Sequence, residues 1–150
     1  VKVEIVPASP AHVGTVANRM RMQDARECWA HGTSPKRALR MGLLGSAHAV
    51  TVLIDGRPEA IAGVTPLDLL SGIGQPWMLG TPKIMRPHPA WVVEAPLMVA
   101  EWRRLFPVLR NKVAADNRKA IMWLRRLGFK VAREHVIVGG VRFLPFEWRA

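Results

Sequence analysis

Apolar and polar positions alternate over residues 2–6 (KVEIV), with Val3 and Ile5 on one side and Pro7 closing the run. That pattern predicts a short first strand. Ser9-Pro10 is a helix start, and Val13, Val16, Ala17 and Met20 then recur at helical spacing, so a helix is predicted over 10–20. Residues 21–31 continue helically with Met22, Ala25 and Trp29 as the apolar line, until Gly32 ends the run. Ser34-Pro35 repeats the start signal and predicts a short basic helix over 35–44. The pattern then changes to strands at 47–54 and 59–65, joined by Asp55-Gly56, with a third at 76–80 after a loop over 66–75.

Prolines 82, 87 and 89 argue against a regular helix over 81–93. A helix is predicted over 94–106, with Pro96 in its first turn, Ala95, Met98, Trp102 and Leu105 as the buried stripe, and Pro107 as its end. A strand at 108–114 follows, then a helix over 117–127 capped by Asp116 and stopped by Gly128. Phe129 opens a strand over 129–133, and 135–138 pairs with 141–146 around Gly139-Gly140. This order predicts an α/β or α+β architecture, a single domain over 1–150 with one mixed, mostly antiparallel sheet and helices on both faces. No internal repeat or low-complexity segment interrupts it.

At 150 residues and 16.7 kDa the chain has the size of one domain with a real core. It contains no run of 18 apolar residues, so no membrane-spanning helix is expected. Lysine plus arginine outnumber aspartate plus glutamate by 22 to 11, a net charge of +11, which favours an anionic partner: nucleic acid, a polyphosphate cofactor or another phosphate-bearing surface. Cys28 is the single cysteine, so no intrachain disulfide forms, and the five histidines lack ligand spacing, so no metal site is expected. The reducing interior of a cell is the expected compartment. Tyrosine is absent.

The segment 117–129, NRKAIMWLRRLGF, carries Asn117, Ala120, Leu127, Gly128 and Phe129 in the pattern Asn, two variable residues, Ala, a helical run, Leu-Gly-Phe. It resembles a signature of the GCN5-related N-acetyltransferase superfamily, and the order of the upstream elements agrees. The basic helical N-terminal half, the hairpin SAHAVTVLIDGRPEAIAGV and the run from the 94–106 helix through 129 are similar to a phage family. That family includes the small internal virion protein of T7-like phages, and some of its members are described as acetyltransferases. The resemblance implies an acetyl-CoA-dependent N-acyltransferase fold, an amine acceptor, residence in the bacterial host cytoplasm or the virion, and phage proteins or nonspecific DNA as other partners. It also implies a split in the sheet between 76–80 and 108–114, polarisation of the thioester by the backbone of Met78, Leu79 and Gly80, and Asn117 near the pantetheine arm.

Two departures stand out. Active members carry a Gln/Arg-x-x-Gly-x-Gly/Ala loop whose amides hold the coenzyme A diphosphate. Here that span is TPKIMRPHPAWVVEAP, without a glycine, so Lys83 and Arg86 are the residues expected to meet phosphate. Many members also place a tyrosine seven residues after the helix-starting Asn, where this chain has Leu124 beside Trp123. Cys28 carries a proton but lies in a distant part of the chain. Among Glu59, Glu94 and His48, Glu59 is the nearest analogue of the family's acidic residue and is the expected base, acting through water; its competing reading is a solvent-facing glutamate. His88 lies between two prolines and has a surface reading as well.

Arg118, Lys119, Arg125 and Arg126 on the last helix, Lys36, Arg37 and Arg40 on the short helix, and Arg103 and Arg104 form basic faces. They read either as solvated helix surfaces or as a phosphate-binding stripe. Three functions remain open: an acyltransferase, a non-catalytic protein of the same fold that fills the split with Met85, Trp91 and Val92, and a nonspecific nucleic-acid binder. Core packing is the first expectation for Trp29 and Trp91 alike.

Overall fold

The computed structural model describes residues 1–86 and 88–150; Pro87, one of the three prolines in the 81–93 stretch, lies outside the described residues. The chain runs β1 (Val3–Pro7), α1 (Val13–Asn18), α2 (Met22–Ala30), α3 (Pro35–Gly45), β2 (His48–Ile54), β3 (Arg57–Pro66), β4 (Ile73–Gly80), α4 (Pro89–Leu105), β5 (Val108–Ala114), α5 (Arg118–Arg126), β6 (Lys130–Val131), β7 (Val136–Val138) and β8 (Val141–Arg149). The described residues form an eight-stranded sheet ordered β1-β2-β3-β4-β5-β8-β6, with β7 also on β8. All pairings are antiparallel except β4–β5. This is the mixed, mostly antiparallel sheet with helices on both faces that the pattern implies.

Alternation along the central strands assigns the faces. Val50, Val52, Ala60, Ala62 and Val64 pack toward α4 and α5, against Trp91, Ala95, Val99, Trp102 and Ile121. Ile61 points the other way and meets Val13 and Val16 of α1 and Leu39 of α3. Val16, Leu39 and Ile61 are fully buried, and each such side chain contributes about 1.5–3 kcal/mol by leaving water. The β2–β3 hairpin turns at Asp55-Gly56 with φ of 51° and 78°, the left-handed pair that matches strand twist.

Several boundaries differ from the pattern. The first helix is a short 3₁₀ turn at Pro10–His12 followed by α1, and it stops at Asn18. α4 starts at Pro89 rather than 94: proline at the first helical position gives up an N–H that has no helical partner there, and His88 Nδ1 caps by accepting from Ala90 N–H at 3.1 Å. Pro96 therefore sits inside the helix. The buried stripe is Trp91, Ala95, Val99 and Trp102, with Leu105 half exposed. β4 begins at Ile73, three residues early, because Ile73 and Gly74 pair with Val108 and Leu109 on one side and Gly74 and Gln75 with Pro66 and Thr65 on the other; Gly74 lies against Phe106, where a Cβ would come within 2.6 Å of the ring. The strand expected at 129–133 shrinks to Lys130–Val131.

α2 is turned over relative to expectation. Met22 and Trp29, expected inside, are 86% and 63% exposed, while Asp24 and Cys28 are buried. The helix directs its polar face inward because partners for it exist there.

Candidate active site

β4 and β5 run parallel and pair only at Ile73–Val108 and Gly74–Leu109. Beyond those two pairs the strands part, although β4 continues to Gly80 and β5 to Ala114. Asn111 Nδ2 donates to Pro76 O at 2.9 Å, the last polar link before the split. A cavity of about 350 Å³ occupies it. Trp77, Met78 and Leu79 form one wall, Asn111, Lys112 and Val113 the other. Toward α4 and α5 it is apolar, with Met85, Trp91, Met98, Trp102, Trp123 and Leu124; toward α2 it is polar, with Arg21, Asp24, Glu27, Cys28 and Asn117. Met85 and Trp91 are therefore walls of an open cleft, and Val92 is half exposed.

The β3–β4 ladder fixes which amides face the split. Thr81 N–H donates to Glu59 O at 2.8 Å, so the alternation of an antiparallel pair turns the N–H groups of Leu79 and Trp77 toward β3. Those of Met78 and Gly80 face the split. Gly80 N–H is taken by Asp24 Oδ2 at 2.9 Å, and Gly80 O accepts from Arg21 N–H at 2.9 Å. Met78 N–H has no partner among the described residues. Gly80 itself is fixed by close approach, since a Cβ there would lie 2.8 Å from Ile84 and 2.9 Å from Glu59 O.

The polar wall is a connected set. Arg21 donates to Asp24 Oδ1 at 2.8 Å and to Asn117 Oδ1 at 3.3 Å. Asn117 Nδ2 donates to Glu27 Oε1 at 3.2 Å, which also accepts from Ala114 N–H at 3.0 Å. Glu27 Oε2 has no partner among the described residues. Burial raises the pKa of Glu27, against the lowering effects of the Ala114 and Asn117 hydrogen bonds, and the nearby Asp24 adds to the rise. Asp24 is raised as well, burial outweighing Arg21 and the Gly80 amide. Asn117 occupies the cap position of α5 without capping it; its side chain faces the cavity instead.

Of the expected site residues, Met78, Leu79 and Asn117 line this cavity and Gly80 is adjacent through Asp24. Lys83 and Arg86 are exposed and outside its lining. Glu59 is neither solvent-facing nor in the cavity. It is fully buried, its Oε2 accepts from Arg19 Nη2 at 2.6 Å and from Thr81 Oγ1 at 3.0 Å, and Arg19 also pairs with Oε1. A base acting on a substrate needs access, and this position has none. His48 Nδ1 accepts the Trp102 indole N–H at 3.0 Å, which makes it a packing group, and Glu94 is exposed on α4 outside the cavity lining. The residues that the pattern missed are Arg21, Asp24 and Glu27, at helical spacing on one face of α2 and just before it, and Asn111.

Cys28, remote in sequence, is brought to the cavity wall. Burial pushes its thiol up to about 11, and Asp24 and Glu27 add to the rise. At pH 8 about one thiol in a thousand is then ionised. Alkylation of the native protein by iodoacetamide should climb about tenfold per pH unit up to about pH 11. A plateau near pH 8.5 would contradict this environment.

No family model matches the chain, and no curated protein matches it in sequence. Solved structures do match. A ribosomal-protein-alanine N-acetyltransferase from Brucella melitensis superimposes with a TM-score of 0.69 at 14% identity, covering 98% of this chain and 99% of that one. A GCN5-related N-acetyltransferase from Kribbella flavida gives 0.70 at 16% identity, covering 99% and 98%. A ribosomal L7/L12 α-N-protein acetyltransferase in complex with coenzyme A gives 0.65 at 12% identity, covering 99% and 94%. Over essentially its whole length, the chain has the fold of the GCN5-related N-acetyltransferases.

Proposed function

We propose that this protein is a phage-encoded N-acyltransferase of the bacterial host cytoplasm, moving an acyl group from an acetyl-pantetheine thioester, such as acetyl-CoA, to a primary amine. The observation that carries this reading is the split itself: a free amide, Met78 N–H, on one wall and a carboxylate with one unpartnered oxygen, Glu27 Oε2, on the polar wall. The residues present suit the acyl-pantetheine arm, because the cavity is open and apolar between β4 and α4–α5. They offer fewer backbone amides to a diphosphate than a glycine-rich loop would. Thr81, Ile84, Arg86, Ala90 and Val92 N–H groups already have protein acceptors, and Pro82 and Pro89 have no N–H.

When bound, the thioester supplies the acyl group. Met78 N–H donates to the carbonyl oxygen as charge builds there, and Leu79 with Trp77 excludes water from that wall. Asn117 and Ala114 N–H orient Glu27, whose free oxygen takes the proton of an acceptor ammonium arriving from the α2 side. Asp24 holds Gly80, and so the end of β4, in place. Glu27 replaces Glu59 as the base in this reading.

Four of the six tryptophans, Trp77, Trp91, Trp102 and Trp123, line the cavity. Acetyl-pantetheine is therefore expected to change the intrinsic fluorescence saturably, and ADP is not. No saturable change at millimolar acetyl-pantetheine would overturn the reading. It would favour the second one, a non-catalytic virion or host-interaction protein of the same fold. That second reading has its own support in the occupied amides between β4 and α4 and in the absence of tyrosine.

A further inference from the structure

The split suits a pantetheine arm, yet the 81–92 stretch that would hold the diphosphate of free coenzyme A carries prolines at 82, 87 and 89, and five of its backbone N–H groups, those of Thr81, Ile84, Arg86, Ala90 and Val92, are taken by protein acceptors. What surrounds the α4–α5 side instead is side-chain charge. Lys83, Arg86, Arg118, Lys119, Arg125 and Arg126 are all exposed, and none has a carboxylate partner among the described residues. The opposing acids in this region include Glu94, exposed on α4, and Asp55, whose carboxyl lies within the influence of Lys83. α4 and α5 are neighbours here, since Trp91 and Ala95 share a cluster with Trp123 and Leu127. Outside that cluster α4 exposes Val93 and Leu97, each 61% accessible. The region therefore combines unpaired cations, an apolar strip and an apolar cavity leading to a free amide.

We propose that the acyl donor is a phosphopantetheine arm borne by an acidic carrier domain, docked on α4 and α5 with its arm threaded into the β4–β5 split. The inference rests on the acyltransferase reading and names its donor. A carrier arm presents one phosphodiester at the mouth, where free coenzyme A presents a diphosphate and a further phosphate that need a dedicated cradle. The carrier's remaining negative charge lies on its helices and meets dispersed cations over a surface, which exposed Arg and Lys side chains serve well. The apolar strip at Val93 and Leu97 supplies contact area. A nucleic acid would use the same cations but has nothing to place in an apolar cleft. The transfer balances without a further reagent: the nitrogen–acyl bond forms and the carbon–sulfur bond breaks. Starting from the ammonium, nitrogen sheds two protons: Glu27 takes the first, which frees the amine to attack, and the second passes through solvent to the departing sulfur, so that the arm leaves as its thiol.

The test is a set of calorimetric titrations of the full chain at fixed salt. The titrants are an acidic acyl-carrier protein loaded with acetyl-phosphopantetheine, the same carrier without its arm, acetyl-CoA, and a short DNA duplex. The loaded carrier is expected to bind at least about tenfold more tightly than acetyl-CoA or the armless carrier. The variant R125E/R126E should weaken the loaded carrier by about tenfold or more and change acetyl-CoA binding by less than about twofold, with an unchanged melting temperature. K119E is a second, milder variant expected to act in the same direction. Acetyl-CoA binding as tightly as the loaded carrier would overturn the proposal and leave the acyltransferase reading intact. Tighter binding of the duplex than of the loaded carrier would overturn it in favour of nucleic acid. Binding of neither thioester would overturn both readings.

Discussion

Replacing Arg19 by methionine is expected to destabilise the protein by about 3–5 kcal/mol, the usual cost of leaving one member of a buried ion pair alone. Glu59 is fully buried on β3, whereas the Arg19 side chain at the end of α1 is about a quarter exposed. The two deletions are therefore unequal. Removing Glu59 leaves a cation that can reach water; removing Arg19 leaves a carboxylate with only the Thr81 hydroxyl beside it. Methionine keeps much of the aliphatic bulk, so the loss reports the charge rather than a cavity. For a domain of this size the melting temperature should fall on the order of 10 °C. The double variant R19M/E59Q should recover about 2 kcal/mol of the loss, because an amide is cheaper to bury than an unpaired charge. Urea unfolding of the four proteins in the cycle measures this. A loss below about 1 kcal/mol for R19M, or no recovery in the double variant, would show that the pair behaves like an ordinary surface ion pair.

That result bears on how a fold and its site are read. The turn and the apolar pattern put Glu59 on the right strand, and the resemblance adds only its role, but its surroundings come from Arg19, 40 residues earlier, and Thr81, 22 residues later. No local pattern reports such a pairing. The hairpins were legible because turn chemistry is local: Asp55-Gly56 and Gly139-Gly140 adopt positive φ where their sequences imply it. The start of α4 was misread for the same local reason. A proline at the first helical position and a proline that breaks a helix look alike until the cap, His88, is seen. α2 shows the deeper limit. Its apolar line suggested that Met22 and Trp29 face the core, but burial there goes to the face carrying Asp24 and Cys28. The compensation for Asp24 is Gly80 N–H, 56 residues away, and for Glu27 it is Ala114 N–H, 87 residues away. Only the assembled sheet shows that these amides are available, because β4 and β5 have parted and no longer satisfy each other.

Glu27→Gln is expected to lower the rate of acyl transfer by about 10²–10⁴-fold, the range associated with loss of a positioned general base. Glutamine retains the shape and still accepts from Ala114 N–H and Asn117 Nδ2, so the wall keeps its geometry. The stability consequence has the opposite sense. The pKa of Glu27 is raised by burial, so the folded state holds its proton more tightly than the unfolded chain does. The stability attached to that proton is complete in acid and is lost as pH rises through the raised value. A neutral glutamine does not suffer that loss, and E27Q should be at least as stable as the parent at pH 8. Activity and stability thus separate, as they do where a site is tuned for chemistry. The parent's rate should also show an acidic limb displaced above the ordinary carboxylate range, as Glu27 becomes able to accept a proton, and E27Q should lack it. Glu59→Gln, by contrast, should leave the rate per folded molecule within about twofold, since its carboxylate lies outside the cavity. The measurement is thiol release from acetyl-CoA or from an acetyl-loaded carrier, across a panel of primary amines and from pH 5 to 9. A full rate in E27Q with a loss in E59Q would exchange the roles assigned to the two glutamates. It would mean that the acceptor reaches the site from the α1 side, past Arg19, rather than along α2.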